Sequence, residues 1–302
     1  MTKQINSILS FLNKNNNSPK NIEFTKIKNM HFVSTYNHVS SQYISESIAS
    51  GASYNEQLAL LKSLVEFVER FLSKNHSKQF KLEGMIRSDG FAAYPISSSL
   101  AESKLVCRDN AYHEAFERYS WAKWWDDENY GFRLHDNDKL LLNENKEYAE
   151  HILDFFDIED IKILSPFTSL DCNSHLIVLI AKIDSCGYIT GGAAGKIGNT
   201  DDILGRALGE LTRHLLCFRK MHKSFISNLS FYEQRLYNFA SGLNNELVSK
   251  RLSNSGSQII EIPQLVFDSH FQHEYYSDFI LHRCLFKNQP IFIGGNVDRL
   301  CL

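Results

Sequence analysis

Apolar positions along this chain fall in two rhythms. Around Ser63–Arg70 the residues Leu60, Leu61, Leu64, Val65, Phe67, Val68, Phe71 and Leu72 encircle a helical wheel nearly completely, which predicts a mostly buried helix. A second helix of this kind is expected from about Leu100 to Trp125, walled by Tyr112, Ala115, Phe116, Tyr119, Trp121, Trp124 and Trp125. Helical spacing also marks Asn6–Leu12, Leu140–Phe156, Asp201–Phe218, Phe231–Leu252 and an amphipathic Phe271–Phe286. Strands are expected at His31–Tyr36, Ile161–Leu164, Gln258–Ile262 and Pro290–Ile293, with His175–Ile183 (HLIVLIAKI) a buried one. The mixture predicts an α+β fold. Three small-residue stretches stand directly before helices: SIASGAS at Ser47–Ser53, SDGFAA at Ser88–Ala93 and YITGGAAGK at Tyr188–Lys196. They read as turns whose backbone N–H groups approach a ligand closely. Asn55 is placed to cap the first of the helices, and the Asn-rich Asn13–Pro19 reads as a surface loop.

Within the two apolar helices a small charged face recurs. Glu66, Glu69 and Arg70 stand at i, i+3 and i+4, as do Glu114, Glu117 and Arg118, so each set lies on one side of its helix. A third helix carries Arg206 and Glu210. As solvated i, i+4 ion pairs such residues are worth about 0.3–0.5 kcal/mol each. Two copies inside apolar helices point elsewhere. Partly buried carboxylates cost several kcal/mol each unless paired or holding a cation, and two arginines do not neutralise four acids. Oxygen ligands on rigid helices suit Mg²⁺, which takes remaining ligands from water and substrate phosphates; the flanking arginines can fork onto those phosphates.

Composition narrows the classes. The chain has 302 residues, 43% of them hydrophobic, and a net charge of −3, which gives no general footprint for nucleic acid. Six cysteines (Cys107, Cys172, Cys186, Cys217, Cys284 and Cys301) lack any C-x-x-C spacing, so neither a zinc site nor a disulfide framework is expected, and they read as reduced thiols. Met1–Lys20 holds no signal-like apolar run, and no stretch is apolar enough to span a membrane, so a cytoplasmic protein is expected. Gly191–Lys196 is not a Walker A loop, because only three residues separate Gly191 from Gly195 and Ile197 stands where Ser or Thr belongs. His270 and His273, with Glu274, show no third ligand nearby, and a surface or core role is expected.

The ordered set ASGASYNEQLALLKSLVEFVERF, SDGFAAYP followed by AYHEAFERYSWAKWW, and TGGAAGKIGNTDDILGRALGEL resembles the YcaO family over roughly Ser47–Phe218. The resemblance implies one YcaO-like domain over residues 1–302, with a variable N-terminal region (1–46), a motif-bearing core (47–218) and a C-terminal region (219–302). It implies mixed sheets packed with helices, and repeated turn-helix units around an acidic nucleotide cleft. Glu66, Glu69, Glu114 and Glu117 would hold Mg²⁺ at the phosphates of ATP, while Arg70, Arg118, Arg206 and Glu210 would touch the nucleotide or lock the glutamates. The implied activity is ATP-dependent phosphorylation of a peptide backbone amide oxygen. An azoline forms when a neighbouring Cys, Ser or Thr attacks, as in a cyclodehydratase, and a thioamide when sulfide does. The alternative is a degenerate, non-catalytic subunit of a peptide-modifying complex. Implied partners are a precursor peptide and a separate peptide-recognition, ubiquitin-activating-like or TfuA-like protein, without nucleic acid or membrane; self-association stays open.

Overall fold

A computed structural model describes residues 1–37, 49–76, 89–96, 99–169, 173–222, 229, 231–254, 256–271, 278–292 and 298–300. Along them run α1 (Thr2–Lys14), β1 (Asn21–Ile27), β2 (Met30–Tyr36), β3 (Ala49–Ser53), α2 (Glu56–His76), β4 (Gly90–Pro95) and α3 (Leu100–Asp126). Next come β5 (Phe132–Leu134), α4 (Asn137–Leu140), α5 (Asn143–Phe156), β6 (Ile158–Pro166), β7 (Ser174–Ile183), β8 (Tyr188–Lys196) and α6 (Thr200–His222). The chain continues with α7 (Phe231–Ala240), α8 (Asn245–Ser253), β9 (Leu265–Phe271) and β10 (Phe279–Phe286). The fold is α+β, and its strands pair in antiparallel fashion. Among the described residues no helix is long and apolar enough to cross a membrane.

Two compact units divide these elements. Unit 1 comprises Met1–Ala115 and Gln264–Gln289. It holds the sheets β1-β2-β3 and β4-β10-β9. The encircling apolar residues of α2 find partners on several sides: Leu64, Phe67, Val68 and Leu72 pack with Ile8, Phe11 and Leu12 of α1, Phe91 of β4, and Phe279 and Leu281 of β10. Asn55 caps α2 as expected, its Oδ1 accepting the Leu58 N–H at 3.0 Å. Inside the unit Thr35 and Ser63 satisfy each other at 3.2 Å.

Unit 2 comprises Phe116–Pro263 and Pro290–Leu302, so α3 belongs to unit 1 as far as Ala115 and to unit 2 beyond it. Its sheet runs β5-β6-β7-β8. The buried strand HLIVLIAKI is β7, central between β6 and β8. Helix α6 is tied to α5 by buried polar contacts: Asn145 Nδ2 donates to Asp201 O at 2.9 Å and Oδ1 at 2.7 Å, and the Tyr148 hydroxyl to Thr212 at 2.9 Å. Arg251 donates to the carbonyls of Trp124 and Tyr130 and lies over the Trp124 ring.

Several expectations are corrected. The described portions of the three small-residue stretches are the strands β3, β4 and β8, not turns. β8 is extended because it pairs along its length with β7, from Tyr188 opposite Lys182 to Lys196 opposite Ser174. Its small side chains answer to the neighbouring helix: a Cβ on Gly191 would lie 2.4 Å from Ala207 O and 2.3 Å from Leu211 N. The amphipathic helix expected over Phe271–Phe286 is corrected where the range is described: Phe271 ends β9, and residues 272–277 lie outside the described residues. Phe279–Phe286 is β10, the middle strand between β4 and β9, with nearly every residue buried, His282 and Arg283 included. Phe231–Leu252 is two helices, α7 and α8, parted where Gly242 takes φ +90°. Gln258–Ile262 makes only isolated bridges, Gln258 with Tyr130 and Ile260 with Thr168, and Pro290–Phe292 form no strand. Ile293, His273 and Glu274 lie outside the described residues, as do Cys172 and Cys301; Cys107, Cys186, Cys217 and Cys284 are free thiols.

Candidate functional site

The strands β3, β4 and β8 each stand at the edge of their sheet. An edge strand leaves a row of backbone N–H groups outside the ladder. Here glutamates from the helices accept them.

In unit 1, Ser50 N–H of β3 donates to Glu66 Oε2 at 2.9 Å. On β4, Phe91 N–H donates to Glu114 Oε2 at 2.7 Å and Ala93 N–H to Glu69 Oε1 at 2.8 Å. Residues two apart on a strand turn their N–H groups to the same side, so α2 and α3 each place a carboxylate along one edge of β4. This demands close backbones. A Cβ on Gly90 would lie 1.8 Å from Ala111 O. The small residues and the glutamates are therefore one device.

Glu69 is the electrostatic centre of unit 1. Burial holds its carboxyl well above the usual carboxylate range, and the charges of Glu114 and Glu66 push it the same way. The Ala93 N–H and the Arg70 guanidinium oppose this without reversing it. Arg70 donates to Glu66 Oε1 at 3.1 Å. Its side chain is 47% accessible, yet the surrounding protein still disfavours its charge; Glu66, with help from Glu114 and Glu69, carries its pKa above the ordinary value.

Unit 2 repeats the scheme on β8. Ala194 N–H donates to Glu117 Oε2 at 3.0 Å, and Gly192 N–H to Glu210 Oε2 at 3.2 Å. Arg213 donates to Glu210 Oε1 at 3.1 Å, as Arg70 does to Glu66. Arg206 donates to Asp202 Oδ2 at 3.1 Å and to Ala194 O at 2.7 Å. Beneath them His214 is buried, and burial with the nearby Arg213 charge pushes its pKa down to about 3. Its neutral ring gives the Nδ1 proton to Thr190 O at 2.7 Å.

Of the residues singled out in the sequence, the structure gathers Glu66, Glu69, Arg70 and Glu114 in unit 1, and Glu117, Arg206 and Glu210 in unit 2. Arg118 is half-buried on α3 beside Glu117. Helical spacing could not reveal the strand N–H groups, because they come from elements read as turns. Arg213 and Asp202 join the set as partners of Glu210 and Arg206. Their signal was their place at i+3 from Glu210 and i−4 from Arg206.

No protein-family model matches the chain, and no curated protein matches it in sequence. Solved structures do match its fold. YcaO from Methanopyrus kandleri, bound with AMPPCP and Mg²⁺, matches with a TM-score of 0.56 and 13% identity over 95% of this chain and 90% of that one. The E. coli microcin synthetase McbBCD complex with pro-MccB17 bound gives 0.55 and 11% over 88% and 87%. A heterocyclase in complex with substrate and cofactor gives 0.53 and 11% over 96% of this chain, which spans 53% of that protein. The chain thus has a YcaO-like fold.

Proposed function

We propose that this chain, on its YcaO-like fold, binds ATP with Mg²⁺ and uses it to activate a backbone amide of a peptide. The observation that carries the reading is Glu69, whose carboxyl is held high by burial and by Glu114 and Glu66 while Arg70 answers only some of that charge. A divalent cation would meet the deficit. The donors fit such an ion, being carboxylates only, each held in orientation by a strand N–H.

In unit 1, Glu66, Glu69 and Glu114 would hold Mg²⁺, with Arg70 turned to phosphate oxygens. In unit 2, Glu117 and Glu210 would supply carboxylates, with Arg118 and Arg206 as the phosphate-facing cations. ATP would supply its γ-phosphoryl group to an amide oxygen, with ADP leaving; attack on the carbonyl carbon by a Cys, Ser or Thr side chain would then expel that oxygen as phosphate and give an azoline, and attack by sulfide would give a thioamide. The protein's share in such a transfer is positioning and charge, so no covalent nucleophile is required of it. The AMPPCP and Mg²⁺ in the M. kandleri structure and the pro-MccB17 in the microcin synthetase structure support this reading. A precursor peptide is the substrate class, delivered in the cytoplasm by a separate recognition protein.

A second reading has its own observation. Glu66 and Glu210 each have both oxygens engaged, one by a strand N–H and one by an arginine, as in a purely structural brace. A non-catalytic subunit of a peptide-modifying complex would retain that brace. Thermal melts separate these outcomes. A ligand bound by the native state alone adds about 2.7 kcal/mol at a hundredfold excess over Kd, so saturating Mg·ATP raises the midpoint, and Glu69→Gln and Glu117→Gln abolish the rise while remaining folded. An unmoved wild-type midpoint refutes nucleotide binding; a rise without ATP turnover, with the recognition partner and peptide present, selects the non-catalytic subunit.

A further inference from the structure

The antiparallel pair β9 and β10 carries a second cluster of ligating side chains with a different chemistry. In its antiparallel register Asp268 stands opposite Cys284, and His270 opposite His282. Residues two apart on a strand share a face, so the four side chains form two adjacent cross-strand pairs. The sequence showed no third ligand near His270 because these residues meet only through strand pairing. Asp268, His282 and Cys284 each offer a ligand atom, and these atoms lie within 4.8 Å of one another. Asp268 Oδ1 is 2.7 Å from His282 Nε2 and 3.9 Å from Cys284 Sγ. Around a tetrahedral zinc ion, neighbouring N, O and S ligand atoms stand roughly 3.3–3.6 Å apart, given bonds of about 2.0–2.3 Å. Shifts below an ångström would convert one arrangement into the other.

We propose that Asp268, His282 and Cys284 form a binding site for a divalent transition-metal ion of the zinc type, with a fourth position taken by water. The mixed carboxylate, imidazole and thiolate set suits zinc rather than Mg²⁺, which takes oxygen ligands. His282 and Cys284 are buried and Asp268 lies at the surface, so the ion has a protected side and an entry path. Supporting groups are in place around the three ligands. Arg108 grips Asp268 from one side, its Nη2 donating to Oδ2 at 2.6 Å and its Nε shared between Oδ1 and Oδ2 at 3.1 Å each, which orients the carboxylate; Oδ1 accepts in addition from His282 Nε2, and that second position on Oδ1 is the one the ion would take. His270 Nδ1 meets His282 Nδ1 at 2.8 Å. Without metal, His282 gives its Nε2 proton to Asp268 and accepts from His270 Nδ1. On binding, the His282 proton moves to Nδ1 and is donated to His270 Nδ1, whose own proton is then carried on Nε2. Both rings stay neutral throughout, and the Cys284 thiol releases its proton to solvent.

The test uses the full chain in millimolar Mg²⁺, so that the glutamates are occupied, titrated with Co²⁺ as a spectroscopic probe. One equivalent should bind, with a thiolate-to-cobalt charge-transfer band in the near ultraviolet and tetrahedral ligand-field bands in the visible, all lost when Zn²⁺ is added. Cys284→Ser should remove the charge-transfer band while Cys186→Ser retains it. Asp268→Asn, a change at the surface, should weaken binding at least tenfold and decides the matter if the Cys284 variant does not fold. A wild-type chain that takes up no Co²⁺ at stoichiometric concentration overturns the proposal, as does a band that survives Cys284→Ser or an affinity untouched by Asp268→Asn.

Discussion

Replacing Gly90 with alanine tests whether strand and helix backbones must meet for the glutamates to reach the strand edge. The added Cβ would lie 1.8 Å from Ala111 O and 2.5 Å from Ala115 N; ordinary contact begins at 3.4 Å, so β4 and α3 must separate by about 1.6 Å. The neighbouring Phe91 N–H to Glu114 bond, 2.7 Å long, does not survive such a separation. Losing a hydrogen bond to a charged acceptor costs about 1.5–3 kcal/mol, and overpacking about 1–3 kcal/mol. Alanine returns about 0.4–1 kcal/mol by restricting the unfolded chain. The expected net loss is roughly 2–5 kcal/mol, read from the urea midpoint at constant slope. Gly198→Ala is the comparison: with φ +98° and nothing within 4 Å of its Cβ, it meets backbone strain alone, of about 1–2 kcal/mol. A Gly90→Ala variant that loses no more than the Gly198 one, or binds Mg·ATP as the wild type does, refutes the reasoning.

Glu69→Gln keeps an acceptor for the Ala93 N–H and removes a charge that burial and Glu114 disfavour. Because the folded pKa of Glu69 is raised, the stability present below its unfolded value is lost as pH rises through the folded one. In metal-free urea titrations the variant should therefore gain on the wild type as pH increases, and a constant difference contradicts this. His214 runs the other way: held down to about 3 by burial and Arg213, it contributes stability that is complete above the unfolded pKa and lost as pH falls towards 3. His214→Gln should flatten the acid limb of the stability–pH profile, and an unchanged slope would show that other groups set it. Asn145→Ala removes both hydrogen bonds to Asp201 and should cost about 1–3 kcal/mol, with a midpoint unchanged within about 0.5 kcal/mol as the contrary result.

The sequence by itself determined the helices that carry the carboxylates. Their apolar residues leave only one consistent burial, and i, i+3, i+4 spacing then places Glu66, Glu69 and Arg70, or Glu114 and Glu117, on one face whatever surrounds them. The same holds for β7, whose apolar run suits only a strand covered on both sides. What Gly90–Pro95 and Tyr188–Lys196 become was decided by tertiary structure. Glycine and alanine prefer no extended backbone on their own, and pairing with β10 or β7 together with the close approach of a helix makes these segments edge strands. The partners of the glutamates follow from that, since backbone N–H groups leave no mark in a sequence. The cluster of Asp268, His282 and Cys284 depended on the structure in the same way: Asp268 stands 14 residues before His282 and 16 before Cys284, a separation with no ligand spacing of its own, and only the register of β9 against β10 sets it opposite Cys284. Local spacing is fixed by helix geometry, whereas strand register is fixed by what the whole sheet buries.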